Sequence, residues 1–120
     1  LLDQKLISDK IYSDAKSRSF LKRGYSLNKI RYNLIKKGID EKYIKASISK
    51  IKENESDPDF FSAIKICKRR RIGATREENN RSLFYKKDIS ILARSGFSYE
   101  ISKKVLDLPK DEFKKFLKLI

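Results

Sequence analysis

Histidine is absent from this chain, and Cys67 is its only cysteine. These absences exclude an internal disulfide, and they leave no set of side chains for a zinc site or for histidine-based catalysis. We interpret Cys67 as a small apolar residue on a helix face rather than as a reactive thiol. The sequence therefore predicts no metal, no cofactor and no catalytic residue, and we do not expect an enzyme.

Long apolar runs are also missing from the sequence. None approaches the roughly 20 residues that a membrane-spanning helix needs, and no signal peptide opens the chain. We therefore expect a cytoplasmic protein that makes no membrane contact. The chain begins at Leu1 instead of a methionine, which leads us to expect an upstream segment.

Acidic residues are few compared with basic ones. The 120 residues include 30 Lys plus Arg and 16 Asp plus Glu, which gives a formal net charge of +14. This excess is larger than solubility requires, so we expect an acidic partner. The densest stretch is Lys65 to Arg76, which contains the run Lys68-Arg-Arg-Arg71 and no acidic residue. Cations also complement the dipole at a helix C-terminus, but that role accounts for only one or two of the four consecutive cations Lys68 to Arg71.

A helical unit occurs twice in the sequence. Its copies are Leu34-Ile-Lys-Lys-Gly38-Ile and Leu92-Ala-Arg-Ser-Gly96-Phe, and each follows a basic cluster that ends at another glycine, Gly24 or Gly73. Internal repetition of this kind indicates a modular array. We predict an all-α fold of tandem three-helix repeats that form an elongated curved array. The first module covers residues 1–53, and the second covers residues 57–120 and includes a C-terminal amphipathic helix.

Local signals predict where the helices begin and end. The predicted N-caps are Ser8 or Asp9, Ser26, Asp40, Asp57 before Pro58, and Ser98, and Pro109 opens the last helix. Four glycines, Gly24, Gly38, Gly73 and Gly96, are predicted to end helices. The stretch from Thr75 to Glu78 has capping-box spacing, which is consistent with a helical first turn or with an inserted loop.

Apolar spacing predicts the buried face of each helix. The first helix should bury Ile11, Ala15, Phe20 and Leu21, and the helix before Gly96 should bury Leu83, Ile89 and Leu92. The helix after Asp57 should bury Phe60, Phe61, Ile64 and Cys67.

Basic residues recur at corresponding places in the two modules. Lys22 and Arg23 stand in the first module where Arg69 to Arg71 stand in the second, which suggests two basic corners that lie one module apart. A second stripe is formed by Lys36, Lys37 and Lys45 in the first module and by Arg94, Lys103 and Lys104 in the corresponding region of the second. The candidates that these patterns give for binding an acidic partner are Lys22, Arg23, Lys36, Lys37, Lys68, Arg69, Arg70, Arg71, Arg76, Arg94, Lys103 and Lys104.

Two other interpretations of the charge stay open at this point. A helix-turn-helix could be formed by residues 26–38 and 40–52, but the second of these helices presents Lys42, Lys45 and Lys50 without an Arg, Asn or Gln suited to base edges. A non-specific DNA-binding helical module is therefore the alternative function. A basic protein associated with RNA shares the charge but does not require two glycine-bounded units.

The repeated motifs resemble a known family. Gly24-Tyr-Ser-Leu-Asn-Lys-Ile30 and Leu34-Ile-Lys-Lys-Gly38-Ile resemble the second helical repeat of the bacterial RecX proteins. Arg69-Arg-Arg-Ile-Gly73, Lys87-Asp-Ile and Leu92-Ala-Arg-Ser-Gly96-Phe-Ser98 resemble the third repeat as it appears in alphaproteobacterial members. The resemblance covers most of residues 6–107. The family's first repeat is missing, except that Leu1 to Leu6 would be the tail of its last helix.

The resemblance implies a regulator of the RecA recombinase. Such a protein binds in the groove of the RecA–DNA filament, bridges neighbouring subunits and modulates recombinase and ATPase activity, usually by inhibition. The partners implied are the RecA nucleoprotein filament and also single- and double-stranded DNA, bound by a monomer that has no active site. The resemblance also implies that the family's basic helix surfaces map approximately onto Lys22, Arg23, Arg31, Lys36, Lys37, Arg69, Arg70, Arg71, Arg76 and Arg94, which adds Arg31 to the candidate set.

Overall fold

The computed structural model describes the backbone of residues 2–120 and the side chains of residues 8–120. Over this range the chain forms eight α-helices and a short 3₁₀ turn, with no strand, so the all-α prediction is confirmed there. The helices are α1 (Leu2–Lys22), α2 (Leu27–Lys36), α3 (Glu41–Asn54), α4 (Pro58–Arg70), α5 (Glu78–Leu83), α6 (Tyr85–Arg94), α7 (Tyr99–Leu106) and α8 (Lys110–Leu117), and the 3₁₀ turn is Gly73–Thr75. The prediction that Leu1 to Leu6 are the tail of an earlier helix falls on side chains outside the described residues. Within the described part of the chain, no helix has both the length and the apolar composition needed to cross a membrane.

The helices form an elongated body of 60 × 25 × 20 Å that contains two apolar clusters. Helices α1, α2 and α3 pack together around a small cluster of Ile30, Leu34, Ile44 and Ile51. Helices α4, α6, α7 and α8 surround a larger cluster, at whose centre lie Phe60, Ile64, Leu92, Val105 and Phe113. Contacts between α1 and α4 join the two groups of helices.

Three helices end in the same glycine turn. After α1, the amide of Tyr25 donates a hydrogen bond to the carbonyl of Phe20 at 3.0 Å, which is the bond that defines a Schellman motif. The turns after α2 and α6 repeat this pattern. The three glycines at these turns have φ values of +87°, +78° and +93°, and they are Gly24, Gly38 and Gly96. The predicted helix ends are therefore confirmed at these positions.

The residue two places after each of these glycines begins the next helix. The side chains of Ser26, Asp40 and Ser98 accept hydrogen bonds from the amides of Lys29, Lys42 and Ile101, in that order. These bonds satisfy amides in the first helical turn that have no partner within the helix. The three predicted caps are confirmed, so each helix pair is joined by a short and rigid turn.

Helix α1 differs from its prediction at both its start and its buried face. It begins upstream of Ser8, so neither Ser8 nor Asp9 is a cap. Ile11 is 63% exposed and Ala15 is also exposed, because α1 turns a face of small hydroxyl residues towards α3. Ser13 on that face shares a hydrogen bond of 2.7 Å with Ser47 of α3. Small side chains let the two helices approach closely, which an apolar-spacing rule does not anticipate.

The end of α4 also differs from its prediction. Arg71, whose backbone is left-handed (φ +56°), ends the helix in place of Gly73. Gly73 instead opens the 3₁₀ turn and lies against α7, where a Cβ atom would come within 2.8 Å of Leu106 Cδ2. Asp57 occupies the N-cap position of α4, as predicted, but its side chain makes no capping bond.

The segment between α4 and α6 contains a short helix and no capping box. Helix α5 begins at Glu78, and the hydroxyl of Thr75 donates to the carbonyl of Ile72 at 2.8 Å instead of capping it. Leu83 is 73% exposed, so its predicted burial is wrong. Arg81 holds α5 against the end of α7 by donating to two backbone carbonyls, those of Leu106 and Leu108, at 2.8 and 2.6 Å.

Candidate interaction surface

The C-terminus of α1 rests on the last turns of α4. At Gly24 the backbones come so close that a Cβ atom would lie 3.2 Å from Lys65 Cβ. The guanidinium of Arg69 donates to the carbonyl of Arg23 at 2.6 Å, and Lys65 Nζ donates to the carbonyl of Leu21 at 3.4 Å. These carbonyls lie at a helix end, where no partner within the helix exists for them. Arg69 and Arg23, from the two basic clusters of the sequence, are thus in direct contact, so the expectation that these clusters lie one module apart is wrong.

We call this region the basic joint, and its residues are Lys22, Arg23, Lys65, Lys68, Arg69, Arg70 and Arg71. All of them except the half-buried Lys65 are exposed. Among residues 8–120, no carboxylate lies within ion-pair distance (4 Å) of any of these side chains. The positive charge of the basic joint is therefore uncompensated within that range, which favours the binding of an anion.

An aromatic side chain extends this surface towards α2. Tyr25 stacks on Phe20, with the ring centroids 4.8 Å apart. The Arg23 guanidinium lies 5.2 Å from the centroid of the Tyr25 ring, and Lys29 Nζ lies 4.2 Å from it. Both distances are within the range of cation–π attraction. Tyr25 therefore connects the basic joint to the cations of α2.

A groove of about 350 Å³ continues the surface between α2 and the end of α6. Two hydrogen bonds form its base: Ser26 Oγ donates to the carbonyl of Ser95 at 2.8 Å, and Asn28 Nδ2 donates to the carbonyl of Gly96 at 3.2 Å. We call it the α2 groove, and it is lined by Asn28, Lys29, Tyr32, Asn33, Arg94, Ser95 and Gly96. The groove places Arg94 of the second helix group beside Lys29 of the first.

An exposed tyrosine leads from this groove to further cations. Tyr32 is 61% exposed, and Lys36 Nζ lies 5.4 Å from the centroid of its ring. Lys37 follows at the exposed end of α2. The surface therefore runs from the basic joint past Tyr25 and the α2 groove to the C-terminus of α2.

Arg76 lies apart from this surface. Its Nε and Nη2 atoms donate to the two carboxylate oxygens of Asp88 at 2.8 Å each, and its side chain is only 18% exposed. The hydrogen bonds to Asp88 raise the pKa of Arg76 above its ordinary value. Because this guanidinium is engaged inside the fold, we leave Arg76 out of the interaction surface.

Three other candidates have partners within the chain. Arg31 pairs with Glu41 at the start of α3. Lys103 lies 3.2 Å from a carboxylate oxygen of Asp107, and Lys104 lies 3.6 Å from one of Asp57. Such exposed pairs are weak and can open to an outside anion, but the structure does not bring them to the basic joint or the α2 groove.

Sequence reasoning missed two cations of the surface. Lys65 lies within the basic stretch and one helical turn before Arg69, a spacing that would have placed both on one face of α4. Lys29 carries no comparable signal, because its position depends on the packing of Tyr25 against Phe20. Its role becomes visible only in the folded chain.

A half-buried carboxylate ties the start of α2 to α4. Asp59 Oδ1 accepts a hydrogen bond from the amide of Leu27 at 2.9 Å. Burial of this carboxyl raises its pKa above the ordinary value, although the bond from Leu27 opposes the shift. The contact fixes α2, and with it the α2 groove, relative to the basic joint.

The thiol of Cys67 takes no part in the surface. It is 1% exposed, and burial, with a smaller effect from the nearby Asp88, raises its pKa to about 12. A thiol with this pKa carries almost no thiolate at neutral pH, and thiolate is the reactive form. The structure supports the interpretation of Cys67 as a core residue.

Comparison with known proteins gives this geometry a context. A relative from Myxococcus xanthus, "Regulatory protein RecX", is 32% identical over 109 residues. The match covers 85% of this chain and 54% of the relative, so the chain spans about half of that protein's length. No family model and no solved structure matches the chain. The match extends over both helix groups and agrees with the motifs of the sequence, and the chain therefore belongs to the RecX family.

Proposed function

We propose that this chain regulates the RecA recombinase by binding in the groove of the RecA–DNA filament. The observation that carries the proposal is the similarity of 85% of the chain to a protein named as a regulatory protein of this family. In this role the chain lowers recombinase and ATPase activity by occupying the filament. It needs no active site of its own.

We further propose that the two helix groups are tandem repeats. Residues 1–53 correspond to the family's second repeat and residues 57–120 to its third, in a curved array that acts as a monomer. The separate apolar clusters and the shared glycine turns support this division. A body 60 Å long supports contact with more than one filament subunit.

The contact surface in this proposal is the basic joint with the α2 groove. It offers Lys22, Arg23, Lys36, Lys37, Lys68, Arg69, Arg70, Arg71 and Arg94 to acidic groups of the filament. Charge-assisted contacts spread along several subunits bind more strongly than any single contact, and added salt weakens them. While the chain bridges subunits, it blocks filament growth or the access of a second DNA strand.

Charge reversal at the basic joint tests this surface. We expect replacement of Arg69, Arg70 and Arg71 by Glu to lower the affinity for RecA filaments on single-stranded DNA by tenfold or more in co-sedimentation, since several charge-assisted contacts are lost. Circular dichroism should show unchanged helical content.

The matched control changes the same number of charges on another element. Lys110 and Lys114 of α8 and its C-cap residue Lys118 follow one another at four-residue spacing, are exposed and line no groove described above. Their replacement by Glu should lower the affinity by much less. Equal losses in the two variants, or an unchanged affinity of the folded arginine variant, would contradict the assignment of the basic joint.

A further inference from the structure

A second cleft lies between α4 and the C-terminal end of α8, and cations of the basic joint line it. Its volume is about 490 Å³, and its lining consists of four cations and two aliphatic side chains: Lys65, Lys68, Arg69, Arg71, Leu117 and Ile120. We call it the α4–α8 cleft. No acidic side chain of the described residues lines it. We call Leu117 and Ile120 its aliphatic floor, and the other four lining residues are all positively charged.

An adjoining cleft of about 250 Å³ shares Lys65 and Ile120, and its lining also includes Phe61, Ser62 and the acidic Glu55. Ser62 is 1% exposed, and its hydroxyl has no hydrogen-bond partner among the described residues. Buried polar groups without a partner are rare in folded proteins.

The backbone at Arg71 is another observation at the α4–α8 cleft. Arg71 ends α4 in a left-handed conformation at the position that glycine occupies after α1, α2 and α6. A side chain is strained in this conformation, and glycine is not. Arg71 also lines the α4–α8 cleft. Strain that is kept at a charged side chain is typical of a position whose side chain has a function.

We propose that the α4–α8 cleft binds an acidic peptide segment that carries a branched apolar side chain. Carboxylates of the segment pair with Arg69, Arg71 and Lys68, while its apolar side chain packs on Leu117 and Ile120. This proposal goes beyond the filament function, because it assigns to the α4–α8 cleft a peptide ligand that the chain binds without a filament.

The chemistry of the floor favours a peptide over a nucleic acid. Proteins that hold single strands stack the bases on exposed aromatic rings. The floor of this cleft is aliphatic, and the nearby Phe61 packs edge-on against Phe60 and Phe116, with centroid distances of 5.3 and 5.9 Å. An aliphatic side chain fits such a floor, whereas a base gains little from it.

Two glycine substitutions distinguish binding in this cleft from a non-specific attraction of the peptide to the positive chain. The probe is a short fluorescein-labelled peptide with glutamates on both sides of one leucine, and its binding to the chain is measured by fluorescence anisotropy. Arg71→Gly relieves the strain and removes a side chain from the cleft, so we expect a higher melting temperature together with an affinity lowered about tenfold. Arg70→Gly removes the same charge from a position outside the cleft, within α4. It should lower the melting temperature and change the affinity by less than about threefold.

A second comparison tests the apolar floor. A peptide with serine in place of leucine should bind the unmodified chain several times more weakly, and Ile120→Ser should remove most of that difference. Leu83→Ser, which changes an exposed leucine away from the cleft, should preserve it.

Two results would overturn the peptide site. One is an equal loss of affinity in Arg70→Gly and Arg71→Gly. The other is a single-stranded oligonucleotide that displaces the peptide, binds more tightly and loses affinity in Arg71→Gly. The assay contains no recombinase, so its failure and a failure of the filament proposal are seen in separate experiments.

Discussion

Gly96 shows how one residue can both end a helix and join two helix groups. Its φ of +93° closes the turn after α6, and a Cβ atom at this position would lie 2.4 Å from Ser26 Oγ in the first group. Ser26 Oγ itself donates to the carbonyl of Ser95. Gly38 has a similar backbone, with φ of +78°, but nothing lies within 4 Å of the position of its missing Cβ.

This difference gives a prediction for alanine substitutions. Gly38→Ala should lower the free energy of unfolding by about 1 kcal/mol, because only the left-handed conformation is penalised. Gly96→Ala should cost at least about 1 kcal/mol more, since Ser26 must also move and its bond to Ser95 is strained. Urea denaturation of both variants checks the prediction, and equal losses would show that the contact at Gly96 contributes nothing.

At the scale of the elements, Asp88 organises the segment between α4 and α6. It is 1% exposed and accepts hydrogen bonds from the amide of Gly73 at 3.0 Å and from Nε and Nη2 of Arg76. The Arg76 guanidinium also lies 4.4 Å from the centroid of the Phe84 ring. One carboxylate of α6 therefore fixes the 3₁₀ turn and Arg76, the residue that follows it.

Removal of one partner of the Arg76–Asp88 pair should destabilise the fold. Asp88→Ala should lower the free energy of unfolding by about 3–5 kcal/mol, because it leaves the half-buried guanidinium and the Gly73 amide without an acceptor. The double variant Arg76→Met with Asp88→Leu should be more stable than Asp88→Ala alone, because it removes both charges.

Lys103→Ala serves as the control, because its pair with Asp107 is about half exposed on both sides. That substitution should cost less than about 1 kcal/mol. All variants are compared by chemical denaturation. A small loss for Asp88→Ala, similar to that of the control, would contradict the organising role of the buried pair.

The elements that local signals predicted are those whose ends depend on local chemistry. Gly24, Gly38 and Gly96 end helices because their own backbone allows the left-handed turn, and Ser26 and Ser98 cap because the amides they bind are nearby in sequence. The prediction failed where a distant residue decides the outcome. The fit of Gly73 against α7 and its bond to Asp88 keep it in the 3₁₀ turn, so Arg71 takes the helix end instead.

The sequence predicted which type of residue forms the candidate surface, but not which of these residues the fold brings together. The cation-rich stretch from Lys65 to Arg76 indicated a binding region before any fold was known. The sequence did not reveal that Arg69 reaches the carbonyl of Arg23, since these residues are brought together by the packing of α1 on α4. It also did not separate Arg76, which pairs inside the fold, from the neighbouring arginines that stay exposed.

At the scale of the whole molecule, the basic joint and the α2 groove lie where the two helix groups meet. The body is 60 Å long, and the basic joint and the α2 groove both contain residues of each group. A partner bound there contacts both groups at once and so stabilises their relative arrangement. Changes at this junction should therefore affect binding more than equal changes of charge near either end.

The most direct measurement is the rate of ATP hydrolysis by RecA on single-stranded DNA as this chain is added, with binding to bare DNA followed at the same salt concentration. Filament regulation predicts a dose-dependent fall in hydrolysis at concentrations where bare DNA is still unbound. Unchanged hydrolysis, together with tight binding to bare DNA that weakens steeply with salt, would contradict it and would leave a DNA-binding helical module in its place.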